Sequence, residues 1–158
     1  MRHAATPRGF TLIELVVALV LVGLLAWVSV PLYEVASVRT KEAELRAALR
    51  TLRTAIDAYK SAADAGLVPK GATDSGYPPS LDVLVAGVEG GRDGRRHVFL
   101  RQIPRDPFAP DPAAPAAAHW ATRSYGSPPD DPQPGADVFD VASRSRRTGS
   151  NGVPYAQW

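Results

Sequence analysis

The run from Phe10 to Val30 constrains this chain more than any other feature. It is 21 residues long, and Glu14 is its only ionisable side chain. As a helix it extends about 30 Å, the thickness of a bilayer's hydrocarbon core. A helix apolar on every side must be surrounded by lipid or by other helices. A carboxylate in such a setting costs on the order of 3 kcal/mol, so a partner for Glu14 is expected.

The nine residues ahead of this run carry Arg2 and Arg8 and no acid. They would suit the start of a secretory signal peptide. However, the apolar run exceeds the usual signal length, and no A-x-A cleavage site follows it. A retained anchor fits better, with residues 1–9 as a cytoplasmic leader and the remainder translocated. A cut between Gly9 and Phe10 would free an amine on Phe10. In a neighbouring copy displaced by one register, that amine could neutralise Glu14. Pro31 lacks an amide hydrogen and clashes with the carbonyl of Trp27, so a kink or local melting of the helix is expected there.

Gly9-Phe10-Thr11-Leu12-Ile13-Glu14 resembles the processing signature of the type IV pilin superfamily, which includes pilins and type II secretion pseudopilins. The resemblance implies that a prepilin peptidase cuts between Gly9 and Phe10 and methylates Phe10. It also implies that Glu14 guides filament assembly and that Pro31 stands where the family commonly has a helix-disturbing proline.

Beyond the apolar run, residues 32–65 contain neither Pro nor Gly. Leu45, Leu49, Leu52, Ile56 and Tyr59 recur at spacings of four, three, four and three, which is one helical face. Arg46, Arg50, Arg53, Asp57 and Lys60 lie off that face, and Glu42 with Arg46 forms a favourable i, i+4 pair. Gly66 reads as the stop. One helix is therefore expected from Phe10 to about Ala65. A short helix opened by Pro79 and Ser80 follows, with Leu81, Leu84 and Val85 inward. Residues 87–94 read as a turn and 95–100 as a short extended piece. The five prolines from Pro104 to Pro115 mark an irregular loop. Strands are expected at 120–124 and 137–141, with Tyr155 and Trp158 anchoring the end.

This order is similar to that of the major pseudopilin of type II secretion systems, carried by Tyr77-Pro78-Pro79-Ser80-Leu81, Ile103-Pro104-Arg105-Asp106-Pro107-Phe108, and Phe139-Asp140-Val141 running to Trp158. The resemblance implies an α+β, pilin-like fold: one long N-terminal helix, half transmembrane, on a small loop-rich head with a short helix and a small antiparallel sheet. The divisions are 1–9 (leader), 10–30 (membrane and filament core), 31–66 (periplasmic half of the helix) and 67–158 (head). The implied role is a structural subunit of a periplasmic pseudopilus. Its partners would be further copies, prepilin peptidase, an inner-membrane assembly platform with its ATPase, minor pseudopilins and, before assembly, membrane lipid. The implied location is the bacterial inner membrane. The rival readings are a type IV pilus subunit for adhesion, motility or DNA uptake, and a plain signal-anchored periplasmic domain.

The same resemblance raises calcium, which needs six to eight oxygens, several from carboxylates. Asp137, Asp140, Ser143 and Ser145 are the donors on offer. Arg144, Arg146 and Arg147 stand among them where acids would be needed, so no cofactor is expected and Tyr155 and Trp158 are assigned to hold the loop. The chain has no cysteine, hence no disulfide and no thiolate metal site.

No enzyme emerges. His3, His97 and His119 lack ligand spacing and read as surface histidines. Asp130-Asp131 sits between prolines as a solvated turn. The glycines from 90 to 94 lack a Walker lysine and serine. No G-x-S-x-G is present. The basic cluster Arg92, Arg95, Arg96, Arg101 and Arg105 around Phe99 suggests nucleic acid. Without Arg2 and Arg8, however, 16 basic residues balance 16 acidic ones, which argues against DNA and for acidic faces of neighbouring copies.

Overall fold

The computed structural model describes residues 9–69, 75–91 and 94–158, with side chains throughout except at 28–32. Leader residues 1–8 (with Arg2, His3 and Arg8), loop residues 70–74, Arg92 and Asp93, and the side chain of Pro31 lie outside the described residues. The fold is α+β, with one long N-terminal helix and two small antiparallel sheets, compatible with a pilin-like architecture. The chain divides into two units, Met1–Arg39 and Thr40–Trp158.

Helix α1 (Leu12–Asp64) is 53 residues long. Its backbone is helical through residue 31, so the local melting expected at Pro31 does not occur. One missing donor removes one hydrogen bond, and good helix formers on both sides carry the helix across. In the first unit, every side chain from 9 to 27 is exposed. Among the described residues, no helix is long and apolar enough to cross a membrane. The apolar stretch of α1 with described side chains is 12–27, sixteen residues or about 24 Å. That falls short of the span read from 10–30, whose last three side chains lie outside the description.

In the second unit, Leu45, Leu49, Leu52, Ile56 and Tyr59 are buried, and Ala48, Ala55 and Ala63 widen the stripe. Each large apolar side chain taken from water there contributes about 1.5–3 kcal/mol. The helix closes in a Schellman motif. Gly66 has φ 71°, its amide donates to Ala63 at 3.1 Å, and the Leu67 amide donates to Ala62 at 2.9 Å.

Helix α2 (Leu81–Ala86) begins two residues later than the prolines suggested. Ser80 takes the N-cap position, but its hydroxyl makes no capping bond. Leu81 and Leu84 are buried, and Val85 is half-buried. The Leu84 carbonyl accepts from the amides of Phe99 and Leu100, both at 3.0 Å, so this small helix pins the following extended segment to the core. The stretch expected as a plain turn contains β1 (Val88–Glu89), paired antiparallel with β2 (Arg96–His97). The second sheet joins β3 (Trp120–Arg123) to β4 (Asp140–Ser143), with Trp120 opposite Ser143. β4 starts three residues after the expected strand because the Val138 amide is taken by Pro78 at 2.8 Å. The Asp137 side chain is likewise turned toward Ser124 and Tyr125.

The C-terminal turn closes over this ribbon. Tyr155 stacks on Phe108 with ring centroids 4.2 Å apart and meets Trp158 edge-on at 4.9 Å.

Candidate functional site

The start of α1 is built by Thr11. Residues 9–11 are non-helical. The Thr11 hydroxyl accepts from the Glu14 amide at 3.3 Å, and its carbonyl accepts from Leu15 at 3.2 Å. Thr-x-x-Glu at a helix start is the capping-box pattern, visible in the sequence though not read from it. It places the Glu14 carboxylate in the first turn, where the helix dipole is positive, which offsets part of the cost of a charge in apolar surroundings. Gly9 and Phe10 lie just outside the helix, and Phe10 is 83% exposed. The Gly9–Phe10 bond is exposed, and the adjoining helix exposes its Leu, Val and Ile side chains from residue 12 to 25.

A second site lies in the head and was not anticipated. Glu42, expected to pair with Arg46 along the helix, is 2% exposed. Its carboxylate accepts from the Ser150 amide at 2.6 Å, the Ser150 hydroxyl at 2.5 Å and the Tyr155 hydroxyl at 3.1 Å. Arg46 stands 3.7 Å away, its guanidinium 4.1 Å from the centre of the Trp158 ring. Burial pushes the pKa of Glu42 up. The Ser150 hydroxyl and amide, the Tyr155 hydroxyl and the Arg46 charge together outweigh it and hold the carboxylate below its ordinary range. Arg53 makes a second tie, donating to Asp140 at 2.8 Å and to the main-chain oxygens of Val141 at 3.2 Å and Trp158 at 2.7 Å.

The four oxygen donors considered for calcium are each engaged elsewhere. Asp140 serves Arg53 and lies 3.8 Å from Arg123. Asp137 accepts from Ser75, from the Ser124 hydroxyl at 2.8 Å and from the Tyr125 amide at 2.8 Å. Burial raises its pKa, but these hydrogen bonds lower it further, and the net shift is downward. The Ser143 hydroxyl donates to Asp106 at 2.5 Å, and the Ser145 hydroxyl accepts from the Arg147 amide at 3.4 Å. Among the described residues, no three His, Cys, Asp or Glu side chains group as a metal site would require.

His119 corrects the reading of the histidines as surface residues, being 3% exposed. Its Nδ1 accepts from the Asp106 amide at 3.3 Å, which leaves Nε2 to donate to Ala114 at 3.2 Å. Asp106, His119 and Ser143 thus form one buried node. Both imidazole nitrogens are committed to main-chain groups, and the serine hydroxyl bonds the carboxylate directly. No imidazole nitrogen faces Ser143, so the node lacks the serine–histidine contact of a nucleophile's machinery. The arginines of the basic cluster with described side chains are exposed, and two of them are held by main-chain carbonyls. Arg96 donates to Ala86 at 2.8 Å, Arg105 donates to Pro112 at 2.8 Å, and Phe99 packs on Tyr59 at 5.2 Å.

Residues 6–30 match the family model of the prokaryotic N-terminal methylation motif. No curated protein and no solved structure matches the chain. The match supports the type IV pilin-like superfamily, whose members are structural and not enzymatic. The motif implies prepilin processing, N-methylation, and a protein first anchored in a membrane and then assembled into a filament. It takes in 25 of the 158 residues, so it does not separate a pseudopilus from a pilus subunit.

Proposed function

We propose that this chain is a structural subunit of a periplasmic pseudopilus in type II protein secretion. Prepilin peptidase cuts between Gly9 and Phe10 and methylates Phe10. An inner-membrane assembly platform with its ATPase then extracts the subunit from the bilayer. Glu14 pairs with the Phe10 amine of the copy already in place, which sets the register, and minor pseudopilins complete the filament. The observation that carries this reading is the start of α1: an exposed Gly9–Phe10 bond, a capped first turn bearing one carboxylate, and an apolar surface exposed from residue 9 to 27. Burying that surface among copies gives the helix the environment it lacks alone.

Mass spectrometry of the mature N-terminus tests this reading. A chain beginning with N-methylated Phe10 is expected, whereas retention of Met1 or a cut elsewhere overturns it. Glu14→Ala is expected to be cut normally and to yield no filaments. Deletion of the gene should trap secreted proteins in the periplasm. Loss of surface filaments with secretion intact would instead establish the pilus reading.

A further inference from the structure

Two charged features of the head form no ion pair among the described residues. The first is a groove of about 650 Å³ lined by Pro107, Phe108, Pro110, Arg144, Arg146 and Arg147. All three arginines are exposed. Arg144 donates one bond, at 3.0 Å, to the Trp120 carbonyl. Arg147 lies 5.3 Å from the centre of the Phe108 ring. Arg146 makes no hydrogen bond or ion pair among the described residues, and none of the three meets a carboxylate within 4.0 Å. Of the acids near the groove in sequence, Asp106 is buried with its oxygens bonded to the Phe108 amide at 2.7 Å and to Ser143, Asp111 is exposed and accepts from the Ala113 amide at 3.0 Å, and Asp140 is paired with Arg53 at 2.8 Å. The groove therefore sets Arg144, Arg146 and Arg147, none of them within 4.0 Å of a described carboxylate, beside Phe108 and two prolines.

The second feature is the exposed Asp130-Asp131 pair at the tip of a proline-rich loop. The loop has a fixed shape. The Ser127 hydroxyl accepts from the Gln133 amide at 2.7 Å and donates to the Asp131 carbonyl at 3.0 Å. The Gln133 side chain donates to Asp131 Oδ1 at 2.7 Å, and its carbonyl accepts from the Ser124 amide at 3.0 Å. Asp130 has no partner among the described residues, and neither acid meets a cation. Four prolines at 128, 129, 132 and 134 reduce the freedom such a knob loses on docking.

We infer that the Asp130-Asp131 knob of one copy docks into the Arg144–Arg147 groove of the next. The occupant is a second copy of this chain, because the two exposed features carry opposite charge and neither forms an ion pair among the described residues. Knob and groove are different surfaces, so the contact is heterologous. Repetition of such a contact without closure builds an open helical assembly. The inference rests on the filament proposed above, to which it adds the head-to-head specificity that an apolar helix core cannot supply. Two exposed pairs, each a factor of about two to five, make the contact worth roughly tenfold in association.

The absence of native cysteine makes the test direct. Full-length chain carrying both Asp130→Cys and Arg146→Cys is expressed in cells and oxidised, and its oligomers and N-terminus are read by mass spectrometry. A ladder of oligomers linked between positions 130 and 146 is expected, and neither single variant should produce it beyond a dimer. Mature chains starting at Phe10 without the 130–146 link overturn the contact and leave the filament reading standing. Uncut chains that still link support the contact and overturn the processing. Uncut and unlinked chains overturn both, and links from either cysteine to a different protein overturn the choice of occupant. In the cysteine-free background, Arg144→Glu with Arg146→Glu should lower filament yield about tenfold, and adding Asp130→Arg with Asp131→Arg should restore it. Loss without restoration, in chains that remain folded by circular dichroism, refutes the pairing.

Discussion

Replacing Glu42 should separate a tie made by charge from one made by shape. Glu42→Ala removes the acceptor of three hydrogen bonds. Ser150 can regain water, but the Tyr155 hydroxyl is buried and would be orphaned. A lost bond to a charged group, an unsatisfied buried hydroxyl and a small cavity together cost about 3 kcal/mol. Glu42→Gln keeps the volume, and its oxygen can still accept from the Ser150 amide and Tyr155. The Ser150 hydroxyl can reverse to accept from the new amide, so about 1 kcal/mol is lost. For a unit of 119 residues, Thr40–Trp158, these values lower the melting temperature by roughly 12 and 4 °C.

The pH dependence supplies the sharper discriminator. Glu42 has a folded pKa below its ordinary 4.5, so its contribution is fully present above that value and disappears as pH falls through the folded pKa. The gap between wild type and Glu42→Gln should be widest near pH 7 and narrow steadily below pH 4.5. Asp137, also lowered, titrates in both proteins and cancels in the difference. Thermal melts of the full chain in detergent, followed by tryptophan emission, give both quantities. A glutamine variant as unstable as the alanine variant, or a gap unchanged between pH 7 and 3, would refute the reasoning.

Two further substitutions probe the same region. A Cβ added at Gly149 would sit 2.4 Å from Trp158 Cζ2 and 3.0 Å from Tyr155 Cε1. Gly149→Ala should therefore expel Trp158, cost about 2 kcal/mol and shift its emission to the red; unchanged emission with unchanged stability would count against the packing. Arg53→Ala loses three acceptors, but Arg53 is 41% exposed, so solvent screening limits the loss to about 1 kcal/mol by denaturant unfolding. Arg53→Lys, which cannot reach all three acceptors, should recover less than half of it.

The long helix was legible because its two halves obey two simple patterns: an unbroken apolar run, then a stripe from Leu45 to Tyr59 that ends at Gly66. The processing signature was equally plain, since Gly9, Phe10 and Glu14 are contiguous in sequence. Glu42 was not legible. A glutamate four residues before an arginine reads as half of a helical ion pair, and only the return of residues 150–155, more than a hundred positions later, makes it a buried acceptor. His119 was misjudged for the same reason, since its partners Asp106 and Ala114 are main-chain groups that leave no mark on composition. β4 slid by three residues because hydrophobic alternation sees side chains, whereas Pro78 captured a backbone amide. The oxygen donors offered for calcium were a list of residue types, and the fold spent each on a different neighbour.

The two ties along α1 also have a mechanical meaning. Glu42 and Arg53 are eleven residues apart, about 16 Å of helix rise. Both hold the terminal segment, one through Ser150 and Tyr155 and the other through Trp158. A pull along the helix axis would load them together, in shear, so neither can be peeled away before the other bears force. A subunit drawn out of a membrane by its helix would thus keep its last residues fastened to the part being pulled.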